Sequence, residues 1–194
     1  MMPPRVDPPP PAVPSGAEPF RGLDATVVDF WRYAAGDLRS NTLRGVLAEW
    51  LVARALGVLA PMPDWHDHDV LTPAGVRVEV KASAFLQSWA QAERTRVVFT
   101  GLRRRTWVPV AGRSREATFN ADVDVLCLQA AQEHDAYDPL DVGQWEFHVL
   151  DRATVVGRGQ GSLGLATVRT LAAPVGYDAL AAAVEAAAGR GVPG

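Results

Sequence analysis

Asp69, Glu79 and Lys81 are the residues of this chain whose types and spacing suit them best to chemistry. Lys81 is the only lysine, whereas every other cationic position carries arginine. Arginine is a planar fork with a permanent, delocalised charge; lysine is a compact point charge on a flexible stem, and its pKa responds to burial. A site that needs one ammonium beside a water or a phosphate oxygen does not readily accept the exchange. Glu79 and Lys81 are two residues apart in Val76-Arg77-Val78-Glu79-Val80-Lys81, a stretch that reads as a strand, so their side chains share one face. Asp69 lies upstream of a turn at Thr72-Pro73-Ala74-Gly75, and a hairpin brings it alongside Glu79.

Two carboxylates at one point bind a hard divalent cation. Mg2+ suits such a site because it accepts a few carboxylates and keeps several waters, and Mn2+ substitutes for it. A divalent cation held beside one ammonium is equipment for phosphodiester hydrolysis. The cation acidifies water and neutralises charge growing on the phosphate, while the lysine steadies the attacking water or the transition state. Glu49 supplies a third acid if its helix packs on the hairpin.

The elements that must position these groups follow from periodicity. Val27, Phe30, Trp31 and Ala34 predict a helix over about 23–35. A second, capped by Ser40 or Asn41, runs to about residue 56, with Leu43, Val46, Leu47, Trp50, Leu51 and Leu56 as an apolar stripe bordered by Glu49. Strands are expected at 68–71, 76–81, 96–100, 122–129 and 145–150, a short helix at 82–92 and an alanine-rich helix at 177–188. This order predicts an α/β domain with a mixed central sheet flanked by helices. Residues 1–19 hold eight of the fifteen prolines and read as a disordered or extended arm. Residues 20–188 read as one domain, and 189–194 as a flexible tail.

Glu49 on an early helix, then Asp69, then Glu79-Val80-Lys81 resembles the PD-(D/E)xK nuclease superfamily, whose fold is restriction-endonuclease-like. Asn41-Thr-Leu-Arg-Gly-Val-Leu-Ala-Glu-Trp, Arg77-Val-Glu-Val-Lys-Ala-Ser-Ala-Phe-Leu-Gln-Ser-Trp, Ala121-Asp-Val-Asp-Val-Leu and Asp138-Pro-Leu-Asp-Val-Gly-Gln-Trp-Glu-Phe-His-Val-Leu are similar to an uncharacterised bacterial group with that fold. The resemblance covers about residues 28–185. It implies Asp69, Glu79 and the Val80 carbonyl as metal ligands, Lys81 as the catalytic lysine, Glu49 as the helix acid and Gln87 as a glutamine presented to the active site. Pro63-Asp64 satisfies the motif's name literally and Asp67 is a further alternative. Asp69 is preferred because Val70-Leu71 continue as a strand, while Asp64 lies in a proline-broken loop. Members with degraded motifs no longer cut, so a non-catalytic nucleic-acid-binding module that keeps the fold is the alternative.

Composition bounds the rest. The chain has 194 residues, 48% hydrophobic and 21% charged, as expected of a globular domain. Its one cysteine, Cys127, excludes a disulfide framework and suits a reducing cytosol, so a cytoplasmic location is expected. There is neither an apolar run of membrane-spanning length nor a signal pattern.

A net charge of −3 does not advertise nucleic-acid binding, but seven arginines and no acid lie between Arg94 and Arg115. Arg103, Arg104 and Arg105 are expected to contact a nucleic-acid backbone, DNA being favoured, and Trp107 to stack on an unpaired base. Enzymes that cut both strands are commonly symmetric, which makes a homodimer the expectation. Zinc at His66 and His68 is set aside for want of a third ligand. Trp31, Trp50, Trp145 and Cys127 are expected in the core.

Overall fold

The computed structural model describes residues 12–60, 67–108 and 112–190, with the side chains of Trp107, Val108 and Arg113 outside that description. The chain forms two compact units, Met1–Asp37 and Leu38–Gly194.

In the first unit, the carboxylate of Glu18 accepts hydrogen bonds from Ser15 and from the Gly16 N–H. Helix α1 (Val27–Ala34) follows, opened by Asp29, whose carboxylate accepts from the Thr26 N–H at 2.9 Å. Gly16 has φ of 101°, and a Cβ there would lie 3.0 Å from the Trp31 ring, so a side chain is excluded on both counts. Trp31 nonetheless remains exposed, contrary to the core placement expected for it. Of the proline-rich arm, residues 1–11 lie outside the described residues.

The second unit is built on a four-stranded mixed sheet. Its strands are β1 (Val70–Leu71), β2 (Arg77–Ala84), β6 (Val123–Gln129) and β7 (Trp145–Asp151), in the order β1-β2-β6-β7. Three further short pieces intervene in the chain: β3 (Val98–Thr100), β4 (Trp107–Val108) and β5 (Gly112–Arg113). β1 and β2 are antiparallel, β2 and β6 parallel, and β6 and β7 antiparallel. Every residue of β6 is buried, as befits a central strand covered on both faces.

Helices α2 (Asn41–Ala55) and α5 (Tyr177–Arg190) cover one face. There Ala48, Leu51 and Val52 meet Val78, Val80, Val123, Val125, Cys127, Leu180 and Val184. Each such fully buried Leu or Val contributes about 1.5–3 kcal/mol. The other face carries Leu126 and Leu128 against Val97, Phe99, Leu163 and Val168. Those residues come from β3, β8 (Ser162–Gly164) and α4 (Leu165–Leu171) with their flanking turns, and Val155 of α3 (Arg152–Arg158) joins them. The domain is thus α/β, a mixed sheet flanked by helices. Among the described residues, no helix is long and apolar enough to cross a membrane.

Two further sequence expectations are corrected. The helix expected at 82–92 is absent: β2 runs on to Ala84, paired with Gln129, and a hydrogen-bonded loop follows. The parallel ladder with a fully buried neighbour outweighs the local helix propensity of Ala-Ser-Ala. The strand expected at 96–100 is borne out as β3, which pairs with β8 in a separate ribbon. The buried side of α2 is centred on Ala48, Leu51 and Val52, which leaves Trp50 56% exposed, whereas Trp145 and Cys127 do lie in the core.

Candidate functional site

The alternation of β2 sends Val78 and Val80 into the core beneath α2 and leaves Glu79 and Lys81 on the opposite side. Asp69, at the entrance to β1, is pinned to β2 at both ends. Its backbone N–H donates to the Val78 carbonyl at 3.0 Å, and its Oδ2 accepts from the Val80 N–H at 2.8 Å. This is the hairpin geometry that the spacing predicts, and it brings Asp69 and Glu79 together.

Lys81 completes the trio. Its Nζ donates to Glu79 Oε1 in an ion pair and to the Val80 carbonyl at 3.0 Å, and lies 3.5 Å from Asp69 Oδ2. Asp67 points elsewhere, its Oδ1 lying 2.6 Å from His68 Nδ1. Of the two described alternatives for the first carboxylate, Asp69 is the one beside Glu79; Asp64 lies outside the described residues, as does His66.

Arg104 enters from across the site. Its Nη1 donates to Asp69 Oδ1 at 2.8 Å and to both Glu79 oxygens at 3.0 Å. Sequence reasoning expects Arg104 at a nucleic-acid backbone; here its guanidinium grips the two acids, while Arg103 and Arg105 are exposed on either side. Arg103 packs over the Phe119 ring at 5.1 Å. The Trp107 side chain lies outside the described part of the structure.

Two further carboxyls feel this cluster. Glu49, on α2, is pushed up to about 7, first by burial and then by the charge of Asp69, with Lys81 and Arg104 opposing. Asp124 stands opposite Glu79 in the β2–β6 register and is only 4% exposed. It too is pushed up to about 7, by burial and then by Glu79. Glu79 itself is raised by burial, with Lys81 pulling the other way. Burial works against the charge of Arg104, but Glu79 and Asp69 outweigh it and hold the guanidinium protonated.

Sequence reasoning missed Asp124. The signal was present: it is the one charged residue inside an otherwise apolar strand, Val123-Asp124-Val125-Leu126-Cys127-Leu128.

Gln87 is not brought to the carboxylates. Its Oε1 accepts from Arg44 Nη2 at 3.2 Å and its Nε2 donates to Thr95 Oγ1 at 3.0 Å, which ties the loop after β2 to the buried Arg44 of α2.

The donors fit a hard cation. Asp69 and Glu79 converge on a single nitrogen, and the set is all oxygen once the Val80 carbonyl is counted. Among the described residues, no three His, Cys, Asp or Glu are grouped to hold a metal ion. What the described residues could offer an ion at this point is two carboxylates and a carbonyl. That set suits Mg2+, which takes its remaining ligands from water and substrate phosphate, and it does not suit zinc. No family model, curated protein or solved structure matches this chain.

Proposed function

We propose that this chain is a Mg2+-dependent nuclease with a restriction-endonuclease-like core, hydrolysing phosphodiester bonds in DNA. The observation that carries the reading is the meeting of Asp69 and Glu79 on one cationic nitrogen, with the chain's single lysine beside both. The resemblance of Glu49, Asp69 and Glu79-Val80-Lys81 to the PD-(D/E)xK nucleases points the same way.

The roles divide by chemistry. Asp69, Glu79 and the Val80 carbonyl are the groups that would hold Mg2+, whose charge would offset that gathering on the phosphoryl oxygens and acidify water. Lys81, anchored on Glu79 and the Val80 carbonyl, presents its ammonium to the attacking water or to a non-bridging phosphate oxygen. Glu49 titrates near neutrality, so its carboxylate is suited to accept a proton from that water. Water adds to phosphorus, the bridging P–O bond breaks, and the departing oxygen takes up a proton. Arg103 and Arg105, exposed beside the site, supply contacts to the nucleic-acid backbone that position without reading sequence.

Plasmid and single-stranded DNA incubated with the protein in Mg2+, Mn2+ or EDTA test the proposal. Divalent-dependent nicking is expected. Lys81→Ala is expected to abolish it while the protein stays folded. DNA binding that survives EDTA, without any cutting, would replace the enzyme with a non-catalytic binding module.

A further inference from the structure

Arg104 Nη1 occupies the point at which the two carboxylates converge, 2.8 Å from Asp69 and 3.0 Å from each Glu79 oxygen. The guanidinium there stands in for a cation. In this closed arrangement two negative groups, Asp69 and Glu79, are balanced by two positive ones, Lys81 and Arg104. A divalent ion brought to the same point would meet the guanidinium as a like charge at contact distance, so one of the two side chains must withdraw.

Arg104 is the one free to do so. Its side chain is 38% exposed against 19% for Lys81, which is held on its own strand by Glu79 and the Val80 carbonyl. The backbone of Arg104 is fixed by reciprocal hydrogen bonds with Thr118 at 2.9 Å, at the base of the β4–β5 hairpin. The long side chain can therefore swing from a steady root. A phosphodiester gives it somewhere to go, because the guanidinium fork matches two phosphate oxygens better than it matches atoms on two separate carboxylates.

We propose that Arg104 is a phosphate-operated latch, which closes the Asp69–Glu79 pair to divalent cations until a nucleic-acid phosphate draws its guanidinium away. The inference rests on the nuclease reading above and adds the regulation of that site. Phosphate and cation both favour the open latch, so each tightens the binding of the other by the same factor. Cation binding is then weak in the free protein and strong only with substrate in place.

Calorimetric titration of the full chain with Mn2+ tests this, with and without a short phosphorothioate-linked DNA duplex that resists cleavage. Wild type, Arg104→Gln, Arg104→Lys and Asp69→Asn are compared, each checked for folding by circular dichroism. The duplex is expected to tighten Mn2+ binding to wild type roughly 10-fold or more, within the usual range for coupled sites. Arg104→Gln should bind Mn2+ tightly without DNA and gain less than about 2-fold from the duplex. Arg104→Lys, which keeps the charge but loses the fork, should bind Mn2+ more weakly than Arg104→Gln. Asp69→Asn should bind weakly throughout.

Equal Mn2+ affinity of wild type and Arg104→Gln without DNA, with Asp69→Asn still weakened, overturns the latch and leaves the cation site standing. So does a wild type whose Mn2+ affinity ignores the duplex, a result that needs no variant to fold. Absence of Mn2+ binding in every protein at millimolar concentration overturns the nuclease reading, and the latch with it.

Discussion

Glu79 and Asp124 stand directly opposite one another on the parallel strands β2 and β6, both buried and both on the face away from α2. Two carboxylates in that relation cannot both ionise cheaply in a medium of low dielectric. The strand pairing that builds the sheet therefore also builds an electrostatic load. Lys81 and Arg104 offset part of it.

That load should make stability depend on pH. Asp124 has a folded pKa near 7 against an ordinary value of 3.8. A carboxyl raised in this way favours the fold fully below the lower value, and the advantage is lost as pH rises through the upper one. Glu49 and Glu79 are raised and act in the same direction. Asp122 and Asp151 are lowered, so their contribution fails only in acid. Denaturant unfolding without divalent ions, between about pH 4.5 and about pH 8, should show wild type losing stability as pH rises. Asp124→Asn should be more stable than wild type at the alkaline end, by on the order of a few kcal/mol, with a flatter profile. Parallel profiles for the two proteins would show that Asp124 carries no such burden.

Gln87 offers a separate test. Its amide, in the loop that follows β2, is committed to Arg44 and Thr95, which predicts a structural effect when the side chain is removed. Arg44 is itself buried on α2, and loss of the Gln87 amide takes one of the two acceptors of its Nη2, the other being Asn41 Oδ1. Gln87→Ala is expected to cost about 1–3 kcal/mol of stability. Its divalent-dependent cutting should persist at temperatures where the variant remains folded. A fully folded Gln87→Ala that does not cut would return the residue to the active site.

Much of this was legible in the chain because it was written locally. The Asp69–Glu79–Lys81 cluster needs only one hairpin, and both the turn residues and the alternation of β2 are local signals. Central strand β6 announced itself by its apolar run. Long-range pairing was not legible. The chain after Lys81 looks helical until a parallel neighbour claims Ala82, Ser83 and Ala84, and that neighbour lies 45 positions away, as in Ala82 to Cys127. Arg104 reads as one of many surface arginines, and only folding shows that it alone of Arg103–Arg105 turns inward. Asp124 becomes chemically interesting only once Glu79 is its neighbour.

Helix α2 gives that lesson a measurable form. Its amphipathic stripe suggests Trp50 as a major core residue, yet the helix is rotated so that Leu51 and Val52 bear the packing. Leu51→Ala should cost about 2–5 kcal/mol, as large-to-small changes in a core do. Trp50→Ala should shift stability by less than about 1 kcal/mol. Thermal or denaturant melts of the two variants decide it, and a larger loss for Trp50→Ala would place the helix in another rotation.

Divalent binding and protonation should compete at one place. A cation between Asp69 and Glu79 requires ionised oxygens, and Glu49, Glu79 and Asp124 are all raised from their ordinary values in its absence. Filling the site relieves the mutual repulsion of these acids and releases their protons. Mg2+ raised high enough to fill even the closed site should raise the melting temperature, since a ligand at about 100 times its Kd adds about 2.7 kcal/mol to the stability of the folded state. The rise should be larger at pH 8 than at pH 5.5, because protons hold the acids at the lower value. Asp69→Asn should remove the Mg2+ effect at both. A Mg2+-induced rise that is the same at both pH values would mean that the ion binds away from these carboxyls, and one that survives Asp69→Asn would say the same.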